Sequence, residues 1–142
     1  MSISVKIALV DDHVQLRAGL AAMIIQMGHI VLFEADNGRD MMHKISAGSV
    51  PDLVLMDVNM PLMDGYAATA WLKQQYPAVR TLALSIYDDD QVVGRMLASG
   101  ACGYLLKDAE IHELQEAIDM VMQKGSYFSE PVRRRLGRDG VE

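Results

Sequence analysis

The sequence predicts an α/β fold: a single (βα)5 doubly wound domain, a five-stranded parallel sheet with helices on both faces. Three observations predict it. Short β-rich apolar runs alternate with longer stretches whose apolar residues recur at helical spacing. That alternation marks βαβ units, and so parallel strands joined by right-handed crossovers. The run Leu53–Met56 is apolar throughout, as expected of a strand buried on both faces. Finally, the polar residues Asp11, Asp12, Asp57, Ser85 and Lys107 all fall at or just after a predicted strand end. Open α/β sheets gather their chemistry at that edge.

The elements follow in order. Val5–Val10 is the first strand. His13–Met27 is an amphipathic helix with Leu16, Leu20, Met23, Ile24 and Met27 on one face, stopped by Gly28. Ile30–Ala35 is the second strand, and Asp36-Asn37-Gly38 is a turn. Arg39–Ala47 reads as a helix with Met41, Met42 and Ile45 inward, closed by Gly48. Pro51 and Asp52 precede the third strand, which ends at Asp57. Tyr66–Gln75 is the third helix, ended by Pro77. Thr81–Ser85 is the fourth strand. Asp88-Asp89-Asp90 opens the fourth helix, where acidic side chains complement the helix dipole. Val92, Val93, Met96 and Leu97 form its apolar face, and Gly100 ends it. Ala101–Leu106 is the fifth strand, and Glu110–Gln123 is the last helix.

Residues 1–124 therefore read as the folded domain. Residues 125–142 have little periodicity and read as a linker or frayed tail, with Arg133-Arg134-Arg135 on a short solvated helix.

Composition narrows the function classes. At 142 residues the chain is long enough for one real core. A net charge of −6 argues against the domain itself binding nucleic acid. The lone Cys102 excludes an internal disulfide and points to a reducing, cytoplasmic setting. No apolar run approaches the ~18–20 residues of a membrane span, so no membrane association is expected. VKIALV runs straight into Asp11 and Asp12, which is not the shape of a signal peptide.

The strand-end residues combine into one chemistry. Crowded carboxylates repel and raise one another's pKa, and a hard divalent cation removes that cost. Mg²⁺ prefers oxygen ligands and takes one or two carboxylates. Lys107 supplies a compact positive charge suited to a phosphate or carboxylate, and Ser85 supplies a hydroxyl. A carboxylate nucleophile beside a metal is a route to an aspartyl-phosphate.

Four motifs occur in order: VDD, LMDVNMPLMDG, LALS and GYLLK. With them the chain resembles the receiver domain of two-component response regulators, the CheY-like (flavodoxin-like) fold, from about Val5 to Gln123. Gly103–Asp108 and the later GSYFS look like the NarL/FixJ-type subfamily, whose receivers precede a helix-turn-helix DNA-binding domain. The resemblance implies that Asp57 takes a phosphoryl group from a sensor histidine kinase. It implies Mg²⁺ bound by Asp12, Asp57 and the backbone carbonyl of Asn59, with Asp11 reaching the metal through water. Lys107 would pair with the phosphoryl oxygens. Ser85 would move to hydrogen-bond the phosphoryl group, and Tyr104 would follow as the switch aromatic. The domain would catalyse only its own phosphorylation and hydrolysis. The output would pass to a DNA-binding domain beyond these residues or, for a stand-alone receiver, through protein contacts. Homodimerisation on phosphorylation is plausible for such a receiver.

Plainer readings stand beside these. Asp12 alone reads as the cap of the first helix, Ser85 as a strand end, Tyr104 as an ordinary strand aromatic, and Lys107 as a solvated lysine. Asp64 reads as serving the turn before Gly65. His13, His29, His43 and His112 show no ligand spacing and read as solvated. A metal-dependent aspartyl-phosphate phosphatase would want an acid two residues after the nucleophile, where Asn59 stands. A flavin-binding protein would want a phosphate-cradling loop after the first strand, where VDDHVQ is acidic.

Three positions depart from the common receiver pattern. Asp108 replaces a proline that many receivers carry after the lysine, so a cis geometry there is not carried over. Ser85 stands where threonine is common. Ile86 stands where many receivers carry a small residue. Its β-branched side chain is expected to gate access to Asp57 and lengthen the life of the phosphorylated state.

Overall fold

The computed structural model describes residues 4–138. The strands are β1 (Lys6–Val10), β2 (Ile30–Ala35), β3 (Leu53–Met56), β4 (Arg80–Ser85), β5 (Gly103–Leu106) and β6 (Tyr127–Phe128). The helices are α1 (Val14–Gln26), α2 (Gly38–Ser46), α3 (Gly65–Gln75), α4 (Asp90–Ser99), α5 (Ile111–Lys124) and α6 (Glu130–Arg138). All strands pair in parallel, in the order β2-β1-β3-β4-β5-β6. The strand order reverses direction between β1 and β3, so the crevice at their C-terminal ends is the natural binding position of a doubly wound sheet.

Successive strand residues point to opposite faces, and this splits the core in two. On one face Ile7, Leu9, Leu53 and Leu55 pack with Leu20 and Ile24 of α1 and Leu114, Ile118 and Val121 of α5. On the other, Ala8, Val10, Val54 and Met56 pack with Met41 and Ile45 of α2, Ala68 and Leu72 of α3, and Val93 and Met96 of α4. The all-apolar β3 is buried at every position because it lies between these two layers.

The tail departs from expectation. The sheet has six strands rather than five, because Tyr127 and Phe128 pair alongside Gly103 and Tyr104. Two residues are too few to show a strand period. Gly103 makes the approach possible, since a Cβ there would meet the Tyr127 carbonyl. Ser129 closes the junction: its N–H donates to the Tyr104 carbonyl (3.0 Å) and its Oγ accepts from the Leu106 N–H (3.1 Å). α6 then lays Val132, fully buried, into the α4-side core. Arg133 and Arg134 are solvated as expected, whereas Arg135 approaches Asp90 (3.3 Å) and Asp88 (3.8 Å).

Smaller corrections concern α1 and the histidines. His13, not Asp12, occupies the cap position of α1. Leu16 faces outward and Arg17 lies on the buried face, because Arg17 finds backbone and carboxylate acceptors there for its Nε and Nη1. His29 is buried, with Nδ1 accepting from the Val5 N–H (3.1 Å). α4 begins at Asp90 rather than at Asp88, with Asp89 as its cap.

Candidate functional site

Sheet register sets the acidic strand ends side by side. Val10 pairs with Met56, so Asp11 and Asp57 each follow their strand by one residue. The Asp57 N–H donates to the Val10 carbonyl (2.9 Å). Both side chains are buried, while Asp12 sits at the exposed rim. Ligand atoms of Asp11, Asp12, His13 and Asp57 all lie within 4.8 Å of one another. His13 belongs to this cluster: its N–H donates to Asp11 Oδ1 (2.8 Å), and its Nδ1 lies 3.2 Å from that oxygen and 3.4 Å from Asp12 Oδ1. Two of its neighbours, Asp11 and Asp12, adjoin it in sequence, but the third, Asp57, comes from the end of β3, which spacing along the chain does not show.

Lys107 follows β5 and reaches across the crevice. Its Nζ lies 2.9 Å from Asp11 Oδ2 and 3.2 Å from Asp57 Oδ1. Asp57 Oδ1 also accepts from the Val58 N–H (2.8 Å). Among the described residues no hydrogen bond or ion pair holds Oδ2, so one carboxylate oxygen is anchored and the other is free. Burial, and next the charge of Asp11, push the Asp57 carboxyl up to about 6, against the opposing pull of Lys107 and the Val58 N–H. For Lys107, burial works against the charge. The bond to Asp11 and the charges of Asp57 and Asp11 outweigh it, so its pKa is raised.

The loop after β3 is held tightly against Asp57. Asp64 caps α3, its Oδ1 accepting from the Ala67 N–H (2.9 Å), which extends the turn role read from sequence. The Gly65 N–H donates to the Val58 carbonyl (2.8 Å), and a Cβ at Gly65 would fall on the Asp57 carbonyl. Only glycine permits that approach.

A cavity of about 250 Å³ opens above Asp57, lined by His13, Leu16, Asp57, Asn59, Ile86, Tyr87 and Lys107. Ile86 stands at its mouth, 71% exposed. Ser85 is fully buried beneath it, with Oγ accepting from the Tyr87 N–H (3.0 Å). Tyr104 is also fully buried, and its hydroxyl donates to the Tyr87 carbonyl (2.6 Å). Burial pushes that hydroxyl up to about 12, which keeps it a neutral donor. Asn59 donates through Nδ2 to the Tyr87 hydroxyl (2.8 Å), so its side chain is engaged away from the carboxylates. Tyr87, which sequence reasoning passed over, thus joins Asn59, Ser85 and Tyr104. Its only sequence signal is its place two residues past a strand-end serine. The peptide after Lys107 is trans.

The donor set suits a hard divalent cation. It offers carboxylate oxygens from two buried, adjacent aspartates, and Asp57 is pushed toward protonation by burial and next by its neighbour's charge. The structure brings Asp11, Asp12, Asp57 and Lys107 together. It places Ser85 and Tyr104 one layer below, linked through Tyr87, and sets Ile86 and Asn59 around the opening.

Comparison with known proteins points the same way. The family model for the response regulator receiver domain matches residues 7–119. Transcriptional regulatory protein DegU of Brevibacillus brevis is 36% identical over 133 residues, 93% of this chain and 56% of that protein. Response regulator GacA of Pseudomonas syringae pv. syringae is 33% identical, over 93% of this chain and 62% of that protein. The chain thus spans about three-fifths of the length of these relatives. Among solved structures, a LuxR-family two-component response regulator from Aurantimonas superposes with a TM-score of 0.87 at 27% identity, covering 99% of this chain and 100% of the other. The signal receiver domain of a NarL regulator from Mycobacterium tuberculosis superposes at 0.78 with 31% identity, covering 86% and 99%.

Proposed function

The chain belongs to the response regulator receiver family, and on that premise we propose that it takes a phosphoryl group onto Asp57 from a phosphohistidine of a sensor histidine kinase. One observation carries this reading. Asp57 is anchored through Oδ1 by Lys107 and the Val58 N–H, inside a carboxylate cluster at the floor of a cavity, with its second oxygen unheld.

Asp12, Asp57 and the Asn59 backbone carbonyl would hold Mg²⁺, with Asp11 acting through water. The bound ion supplies positive charge that offsets the carboxylates and the incoming phosphoryl oxygens. In the transfer, an Asp57 carboxylate oxygen forms a bond to phosphorus as the phosphorus–nitrogen bond of the donor imidazole breaks. The electron pair leaves on that nitrogen, which takes up a proton. Lys107 pairs with the transferred group's oxygens. Ser85 exchanges its Tyr87 N–H contact for a phosphoryl oxygen, donating its hydroxyl proton. Tyr104 reports that change from its buried position against Tyr87. Ile86 gates the cavity mouth and slows hydrolysis. No separate substrate is turned over.

The output is transcriptional control through a DNA-binding domain that residues 125–142 lead toward. The LuxR-family and DegU-like similarity and the partial coverage of the relatives support that output. The active form is a homodimer, and the setting is cytoplasmic. Among the described residues no helix is long and apolar enough to cross a membrane.

The test is incubation with Mg²⁺ and a small acyl phosphate, read by intact mass. One added phosphoryl group is expected, lost in Asp57→Asn and without Mg²⁺. No added mass on the wild-type chain overturns the proposal.

A further inference from the structure

Arg17 is a charged side chain on the buried face of α1, and the phosphoryl chemistry leaves it unused. Its Nη1 donates to the Asp11 carbonyl (2.7 Å), to the Ala35 carbonyl (3.0 Å) and to Asp36 Oδ1 (2.7 Å). Its Nε donates to Glu34 Oε1 (2.9 Å). Burial works against its charge, but the bonds to Asp36 and Glu34 more than offset that and hold its pKa above the usual value. Burying a guanidinium is costly unless its donors are paired, and here Nε and Nη1 are.

The carbonyl it grips belongs to the peptide between Asp11 and Asp12. That peptide is planar and includes the Cα atoms of both Asp11 and Asp12, so a hold on its oxygen restrains the points from which both side chains start. The preceding peptide is held as well, by a bond from the Asp11 N–H to the Ala35 carbonyl (3.1 Å). The end of β1 is thereby tied to the end of β2 through one side chain.

We propose that Arg17 is a positioning residue for the metal site, orienting the Asp11–Asp12 peptide so that both carboxylates converge with Asp57. The inference rests on the reading of that cluster as a Mg²⁺ site. It makes a prediction opposite in sign to simple electrostatics. A positive charge beside a cation site weakens binding by Coulomb repulsion, so neutralising Arg17 without disturbing geometry tightens Mg²⁺ binding. If Arg17 positions the ligands, removing it loosens binding.

The experiment is calorimetric titration of the chain with MgCl2, for wild type, Arg17→Gln and Arg17→Lys, each checked as folded by circular dichroism. Arg17→Gln is expected to weaken Mg²⁺ binding ~10-fold or more, the usual effect of removing a group that orients a metal ligand. Arg17→Lys keeps the charge but loses the fork, and is expected to fall between wild type and Arg17→Gln. A folded variant that binds Mg²⁺ as tightly as wild type, or more tightly, overturns the proposal, even if its stability in EDTA is lower. If Arg17→Gln does not fold, Arg17→Lys decides alone, because repulsion by itself predicts no change for it. A wild-type chain that binds no Mg²⁺, or binds it equally after Asp12→Asn, defeats the metal-site reading itself and this inference with it.

Discussion

Replacing Asp57 by asparagine should stabilise the metal-free protein, although it removes the proposed acceptor. Burial, and next the charge of Asp11, push the Asp57 carboxyl in the fold up to about 6 from the ordinary 3.8. At ~1.4 kcal/mol per tenfold change in proton affinity, that difference is worth ~3 kcal/mol. The sign follows from proton uptake. A raised carboxyl pKa means that the folded chain binds more protons than the unfolded chain between pH ~4 and ~6, so stability falls as pH rises through that window. Above it the full cost of the ionised group is present. Asparagine removes the charge and keeps an oxygen for the Val58 N–H, and Lys107 retains Asp11 as partner. At pH 7.5 in EDTA, Asp57→Asn is expected to gain ~1–3 kcal/mol, the upper figure reduced by the lost Lys107 contact. The gain should shrink toward zero as pH approaches ~4. Urea unfolding followed by circular dichroism measures it, with Mg²⁺ added in a parallel series that stabilises wild type more than the variant. A variant less stable than wild type at pH 7.5 in EDTA refutes the account of a crowded, destabilised carboxylate.

Other changes probe the surrounding frame. Ile86→Ala is expected to speed loss of the phosphoryl group several-fold, followed by intact mass after excess donor is removed; an unchanged rate rules out the gate. Gly65→Ala forces a methyl onto the Asp57 carbonyl. It should cost ~1–3 kcal/mol by overpacking and slow phosphorylation as the loop is displaced; equal stability and rate would show that the loop yields freely. Ser129→Ala leaves the Leu106 N–H without its Oγ acceptor. The expected loss is ~1–3 kcal/mol in urea, and an unchanged midpoint would show that the β6 junction adds nothing.

Several features were legible from residue order because they depend on short-range patterns. The five βα units could be read from apolar periodicity, and the buried β3 from its lack of polar alternation. The strand-end placement of Asp11, Asp57, Ser85 and Lys107 followed from the same boundaries. The family resemblance rested on four motifs in order.

What the chain order could not carry were contacts between distant segments. His13 reads as an ordinary helix-start residue until β3 brings Asp57 beside it. Tyr87 is an undistinguished aromatic until Asn59, Ser85 and Tyr104 close around it. Arg17 interrupts the apolar face of α1 and gives no sign that Asp11, Ala35, Glu34 and Asp36 will supply its acceptors. Tyr127 and Phe128 are too short a segment to reveal a strand, and β6 exists because Gly103 leaves room for a neighbour. Periodicity and local turn chemistry determine which segments become strands and helices, because those forces act within a few residues. Which donor meets which acceptor is decided only when the sheet register sets the strand ends side by side. The chain alone therefore placed Asp57 at the end of β3, and the tertiary structure decided which groups hold it.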